Sequence, residues 1–206
     1  MEDVLEVYHL PYNELRPVIC MDESNKQLVK EVRTPISLKP GRPLRIDDEY
    51  IRNGVANIFI EVEPLAGKRH VSVTETRMRV DWAIFIKSML DERYPLAEKV
   101  VLIMDNLNTH GLASLYETFS AEEALRLAKR LEIHYTPKHG SWLNMAEIEL
   151  SALKGQCLNR RIGDMEIMKS EVSAWQTSRN NQGTKINWQF QTSDARIKLN
   201  KLYPTL

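Results

Sequence analysis

Apolar and polar positions alternate along this chain in two periods, and the switch between them sets out its elements. Pro17-Val18-Ile19-Cys20-Met21 is an apolar run that ends in Asp22-Glu23 and reads as a buried strand; Gln27 to Glu31 forms a second short strand. Asn53-Gly54 is a turn signal before Val55 to Val62, whose β-branched and aromatic content predicts a strand. Pro64-Leu65-Ala66-Gly67 then turns the chain into a partner strand over Arg69 to Thr74. The period changes after that. Trp82, Phe85, Ile86 and Met89 recur at helical spacing and predict a helix over about Val80 to Leu90 with a core-facing stripe.

From Val100 the two periods alternate. Val100 to Met104 is a continuous apolar strand closed by Asp105; a segment over Leu112 to Phe119 follows, and Ser120 with Glu123 three residues on is a capping box that opens a helix. Leu131 to Tyr135 reads as a strand, Thr136 to Gly140 as a turn, and the next helix carries Glu147. Met165 to Trp175 predicts another helix, Asn180 to Gly183 a break, and Ser193 to Leu202 a basic terminal helix. Strands first as a meander, then strands alternating with helices, point to an α/β layer built on a mixed sheet. Met1 to Leu15 reads as a linker or short helix, ended by Pro11-Tyr12-Asn13.

At 206 residues the chain suits one domain, with appendages at most. No segment approaches the roughly 18 apolar residues of a membrane span, and no signal segment opens it, so no membrane partner is expected. Cys20 and Cys157 have no metal-type spacing, and Cys20 in a core strand reads as a buried free thiol. The formal net charge is zero, which by itself argues against phosphate binding; the distribution qualifies that. Lys26, Lys30, Arg33, Lys39, Arg42 and Arg45 face the single acid Glu31, and bases again outnumber acids beyond Lys154. The stretch around Gly41-Arg42-Pro43 reads as a Pro-rich loop between strands. Flanked by Lys39 and Arg45, it also has the form of an arginine hook for a narrow minor groove.

The chemistry lies in the acids. A carboxylate at the end of an apolar strand is costly unless a proton, a base or a metal ion answers it. Asp22 and Asp105 would meet at one end of a sheet, with Glu147 facing them from the following helix. Three converging carboxylates repel one another unless a divalent cation sits between them, and hard oxygen donors suit Mg2+ or Mn2+. Two such ions serve in-line phosphoryl transfer. Glu149, on another face of the same helix, reads as an outer or surface acid, and Glu23 points away from Asp22 on its strand. His110, His134 and His139 lack zinc-ligand spacing; His110 and His139 lie in loops beside the acids, where they can steady the ligands or a phosphate. Lys138 could meet a phosphate, and Trp142 either stacks on a base or packs before the helix.

The strings VICMDE, VLIMDNLNTH and HYTPKHGSWLNMAEIEL resemble the three catalytic blocks of the DDE transposases, in the 630-type insertion-sequence branch of the mariner-like superfamily. The resemblance runs from about Pro17 to Tyr203. It implies a ribonuclease-H-like mixed five-stranded sheet flanked by helices, with the catalytic domain over 16–160 and a helical extension over 161–206 packed on it. It implies Asp22, Asp105 and Glu147 as catalytic residues and ligands of two Mg2+ or Mn2+ ions. DNA contacts are expected from Lys39, Arg42, Arg45, Lys138, His139 and Trp142. The implied activity is cleavage at transposon ends and attack of the freed 3′-hydroxyl on target DNA, by a homodimer acting at the nucleoid in the bacterial cytoplasm. The family's amino-terminal helix-turn-helix modules have no counterpart in these residues. A ribonuclease-H-like endonuclease without strand transfer, or an idle DNA-binding or dimerisation remnant, are the alternative readings.

Overall fold

The computed structural model describes residues 1–203, apart from the side chain of Leu202. Five strands form one sheet in the order β3-β2-β1-β4-β5. They are β1 (Val18–Glu31), β2 (Tyr50–Glu63), β3 (Lys68–Thr74), β4 (Val100–Met104) and β5 (Leu131–Tyr135). The first three pair antiparallel, whereas β1 with β4 and β4 with β5 are parallel. This is the mixed five-stranded sheet that the family resemblance implies. β4 is buried at every position, as an apolar run in the middle of a sheet covered on both faces must be.

Alternation along the strands divides the core in two. Cys20, Ile58, Ile60, Val62, Val101 and Ile103 face helices α1 (Glu2–Tyr8), α5 (Ala146–Leu153) and α6 (Met165–Asn181). Ile19, Met21, Phe59, Val100, Leu102 and Met104 face α2 (Arg79–Ser88), α3 (Leu112–Thr118) and α4 (Ala121–Lys129). Trp82, Phe85, Ile86 and Met89 are all buried in this second layer, as their spacing predicts. The short α7 (Thr192–Lys198) adds Ala195 to the first layer. Cys20 is buried and free. No helix among the described residues is long and apolar enough to cross a membrane.

Several boundaries differ from the sequence reading, each for a local reason. The two strands expected over 17–31 are one, because polar residues from Ser24 onward continue to pair with β2. Asn53-Gly54 is not a turn: β2 runs through it, with a register shift opposite Leu28 and Gly54 at φ 88°, a bulge that relies on glycine's tolerance of positive φ. The break expected at Asn180 comes later, since α6 continues through Asn181 and Gly183, at φ 58°, ends the turn. Of the two readings of the opening segment, the short helix is the one the structure shows. α1 buries Val4, Leu5, Val7 and Tyr8 in the core.

Candidate active site

Parity along the strands decides which acids meet. Cys20 pairs with Ile103 across β1 and β4, so Asp22 and Asp105, each two residues further on, project to the same side of the sheet. That is the side on which α5 packs. Glu147, in the first turn of α5, comes to this side from the turn after β5.

The turn is stitched to β1 residue by residue. Asn144, fully buried, donates its amide nitrogen to the Met21 carbonyl at 2.8 Å and accepts from the Ala146 backbone at 3.1 Å. Tyr8 donates its hydroxyl to the Leu143 carbonyl at 2.6 Å. The residue before Asp22 and the residues before Glu147 are therefore held together by hydrogen bonds that a buried asparagine and tyrosine must make.

The electrostatics of Asp22 record this convergence. Burial pushes its carboxyl up to about 7, and the charges of Glu147 and Asp105 add to the push, against the Glu23 backbone amide and the His110 cation. Asp105 behaves in the opposite way: its hydrogen bond to His110 holds it below the usual carboxylate range in spite of burial. His110 is sandwiched, with Nδ1 2.7 Å from Asp105 Oδ1 and Nε2 3.1 Å from Glu23 Oε2, and its ring lies over Trp82. Burial alone would lower its basicity; the two carboxylates outweigh that and raise it to about 9, so it is an imidazolium at neutral pH.

Glu23 does face away from Asp22, as strand alternation requires, yet His110 brings it into the site's charge network, and Arg77 sits 3.0 Å from its other oxygen. Sequence reasoning set Glu23 aside as facing away and did not single out Arg77. The signal available was the invitation of His110 to find two acids rather than one.

Among the described residues, no three His, Cys, Asp or Glu side chains are grouped tightly enough to enclose a cation. Asp22 lies within electrostatic reach of both Glu147 and Asp105, and the three do not close into a cage. Their chemistry nonetheless fits a hard divalent ion, since all three are oxygen donors. A cleft of about 470 Å³ opens beside Glu147 and Glu23 and runs past Lys26, Ser151 and Lys154.

Glu149 requires a correction. It is no surface or outer acid: about 200° round the helix from Glu147, it is fully buried and receives Arg179 through two hydrogen bonds of 2.9 and 3.1 Å. Arg69 Nε lies 3.2 Å from the same carboxylate, outside hydrogen-bond alignment, so that contact is ionic only. This cluster ties α5 to β3 and α6.

The remaining expected site residues are exposed. Lys39, Arg42 and Arg45 lie on a small hairpin between β1 and β2, in which Lys39 and Arg42 exchange backbone hydrogen bonds around Pro40-Gly41. Lys138 and His139 lie in the turn after β5. Trp142 stacks on Trp188 and meets Phe190 edge-on, while staying about half exposed. His134 is engaged elsewhere, with Asp3 at 2.8 Å.

Residues 17–169 match the family described as DDE superfamily endonuclease. No curated protein matches the chain. Among solved structures, the Mos1 mariner paired-end complex with manganese is 16% identical with a TM-score of 0.58, covering 89% of this chain and 54% of that one. The Mos1 strand transfer complex is 13% identical with a TM-score of 0.58, covering 86% and 52%. The chain thus spans about half the length of the Mos1 structures it matches, and the likeness is one of fold, a mixed five-stranded sheet of the ribonuclease-H type.

Proposed function

The chain belongs to the DDE superfamily endonucleases, and from that premise we propose that it is the catalytic domain of a transposase of the 630-type insertion-sequence branch. It cleaves phosphodiesters at transposon ends and joins the freed 3′-hydroxyl to target DNA. The observation that carries this reading is the strand parity that brings Asp22 and Asp105 to the side of the sheet on which α5, with Glu147 in its first turn, packs. The solved Mos1 structures are paired-end and strand transfer complexes, one with manganese, which supports DNA and divalent metal as partners here.

In this reading Asp22, Asp105 and Glu147 hold two Mg2+ or Mn2+ ions. When bound, the ions make a water or a 3′-hydroxyl a competent nucleophile and stabilise the leaving oxygen. The chain's own residues do the positioning. His110 occupies one oxygen of Asp105 and leaves the other free to ligate, with Glu23 fixing the far side of the ring. Asn144 and Tyr8 keep the first turn of α5 against the end of the β1–β4 pair, so that Glu147 faces the two aspartates. No covalent protein–DNA intermediate is required, because the nucleophiles are water and DNA.

Exposed Lys39, Arg42 and Arg45 on the hairpin, and Lys138, His139 and Trp142 beside the site, are the surfaces offered to phosphates and bases. Two ends need two sites, so the working form is a homodimer on DNA, at the nucleoid in the cytoplasm. The test is manganese-dependent nicking of a duplex carrying a transposon end, and joining of a pre-cleaved end, by the native chain and by Asp105→Asn and Glu147→Gln. Loss of both activities in both variants is expected. Nicking without joining would favour a ribonuclease-H-like endonuclease, and activity that survives in the variants would overturn the assignment.

A further inference from the structure

A cavity of about 560 Å³ lies where β2 turns into β3, and none of Asp22, Asp105 or Glu147 lines it. Its size is that of a small-molecule pocket. Among its lining residues are two buried acids, Glu61 and Glu63, and they differ in what answers them. Arg93 forks onto Glu61, at 2.5 and 2.9 Å to the two oxygens. Arg69 is committed to Glu149 and to the carbonyls of Arg179 and Thr184.

Glu63 has no such partner. It is 3% exposed, and its one hydrogen bond among the described residues comes from the Tyr94 hydroxyl, at the long distance of 3.4 Å. It makes no ion pair among the described residues; Lys68, directly opposite it in the β2–β3 ladder and also at the cavity wall, draws its carboxyl down by charge without a contact at ion-pair distance. A carboxylate can accept about four hydrogen bonds, so most of its capacity is open. Burial holds its carboxyl above the usual range, the expected response of an acid that lacks a cation.

Of the other charged groups in the lining, Glu14 adds a further acid, Arg93 and Arg69 are answered by Glu61 and Glu149, and Lys68 is the remaining cation. His70 makes no ring hydrogen bond among the described residues, and burial together with the Arg93 charge lowers it to about 4. It therefore remains a neutral ring with a nitrogen able to accept. Tyr12, 53% exposed, stands at the rim with an aromatic face. A strong acceptor, a neutral acceptor and an aromatic face together suit a cation on a short apolar stem.

We propose that this cavity binds an alkylammonium or guanidinium group, held by the Glu63 carboxylate, with His70 as a second acceptor and the Tyr12 ring against the stem. Such a group is available as a free diamine or as a lysine or arginine side chain of a polypeptide.

Calorimetric titration of the full chain tests this, with agmatine and butylamine as cations and butanol as the neutral control. Saturable binding of agmatine in the millimolar range or tighter is expected, and Glu63→Gln weakens it by about tenfold or more, as the loss of a charged hydrogen bond implies. Tyr12→Ala, a rim change that leaves the core untouched, weakens it by a smaller factor and decides the matter should Glu63→Gln fail to fold. Tighter binding of an alanine-arginine-alanine peptide than of agmatine assigns the group to a polypeptide, and the reverse order to a free amine. Absence of saturable binding, binding of butanol equal to that of butylamine, or equal affinity in native and variant chains overturns the proposal.

Discussion

His110 Nδ1 lies 2.7 Å from Asp105 Oδ1, five residues back along the chain, while its other nitrogen reaches Glu23 on the neighbouring strand. One imidazolium thus sets the orientation of a strand-end acid and borrows its own from a second acid on the opposite face of β1. His110→Ala removes the shared partner and leaves Glu23, nearly buried, with Arg77 alone. A loss of about 1–3 kcal/mol is expected, below the value for a fully buried pair because Asp105 is partly exposed. Urea unfolding measures it. Manganese affinity should fall by about 10–100-fold, the usual effect of losing a residue that orients a ligand; unchanged affinity would show that Asp105 needs no such support.

Glu147 and Glu149 stand two residues apart and should separate cleanly in mutagenesis. Glu149→Leu leaves Arg69 and Arg179 without their carboxylate inside the fold, and is expected to cost about 3–5 kcal/mol. Glu147→Gln, at an exposed position, should change stability by about 0.5 kcal/mol or less. Thermal melts of the two variants check the contrast, and equal losses would place both acids in structural roles.

Manganese should raise the thermal midpoint of the native chain in proportion to the logarithm of its concentration, because an ion that binds the folded form stabilises it. Asp22→Asn is expected to remove that shift and also to raise the midpoint of the metal-free chain, since it relieves the repulsion that Glu147 and Asp105 exert on a buried carboxylate. A metal-dependent shift persisting in Asp22→Asn and Asp105→Asn would locate the ion elsewhere.

Acid should expose His70. Its ordinary value of 6.5 is lowered to about 4 by burial and by the Arg93 charge, so the unfolded chain binds the proton more readily. The stabilising contribution is complete above 6.5 and is lost as the pH falls through 4. Native protein and His70→Gln, compared by chemical unfolding at intervals over this window, should differ in slope, with the variant losing less stability. Parallel curves would mean that His70 titrates like a solvent-exposed ring.

Much of the architecture was legible in the residues because its signals are local. Val100 to Met104 is apolar at every position, and only a doubly covered strand accepts that; Trp82 to Met89 carries a helical stripe; Ser141 to Glu147 is a turn leading into a helix. Two strand-end aspartates and a helix-borne glutamate were readable as candidates for the same reason. Boundaries were less legible. The pairing that extends β1 to Glu31 through polar residues, and the bulge at Asn53-Gly54, depend on a partner strand that local pattern does not describe.

What the sequence by itself determined, then, was most of the order and type of the elements and which acids stand at strand ends or on the helix after β5. The tertiary structure decided which acid is buried and paired and which stays exposed. Glu147 and Glu149 differ by a rotation about one helix, and only the placement of Arg69 and Arg179, far away in the chain, makes one of them a buried anchor. His110 could have served any neighbour; packing against Trp82 directs it between Asp105 and Glu23. The opening segment has no local signal of a tertiary role, and only the packing bonds Tyr8 to the turn before α5. Ion pairs and buried hydrogen bonds join residues by proximity in space, and that proximity is set by the packing of whole layers rather than by neighbours in the chain.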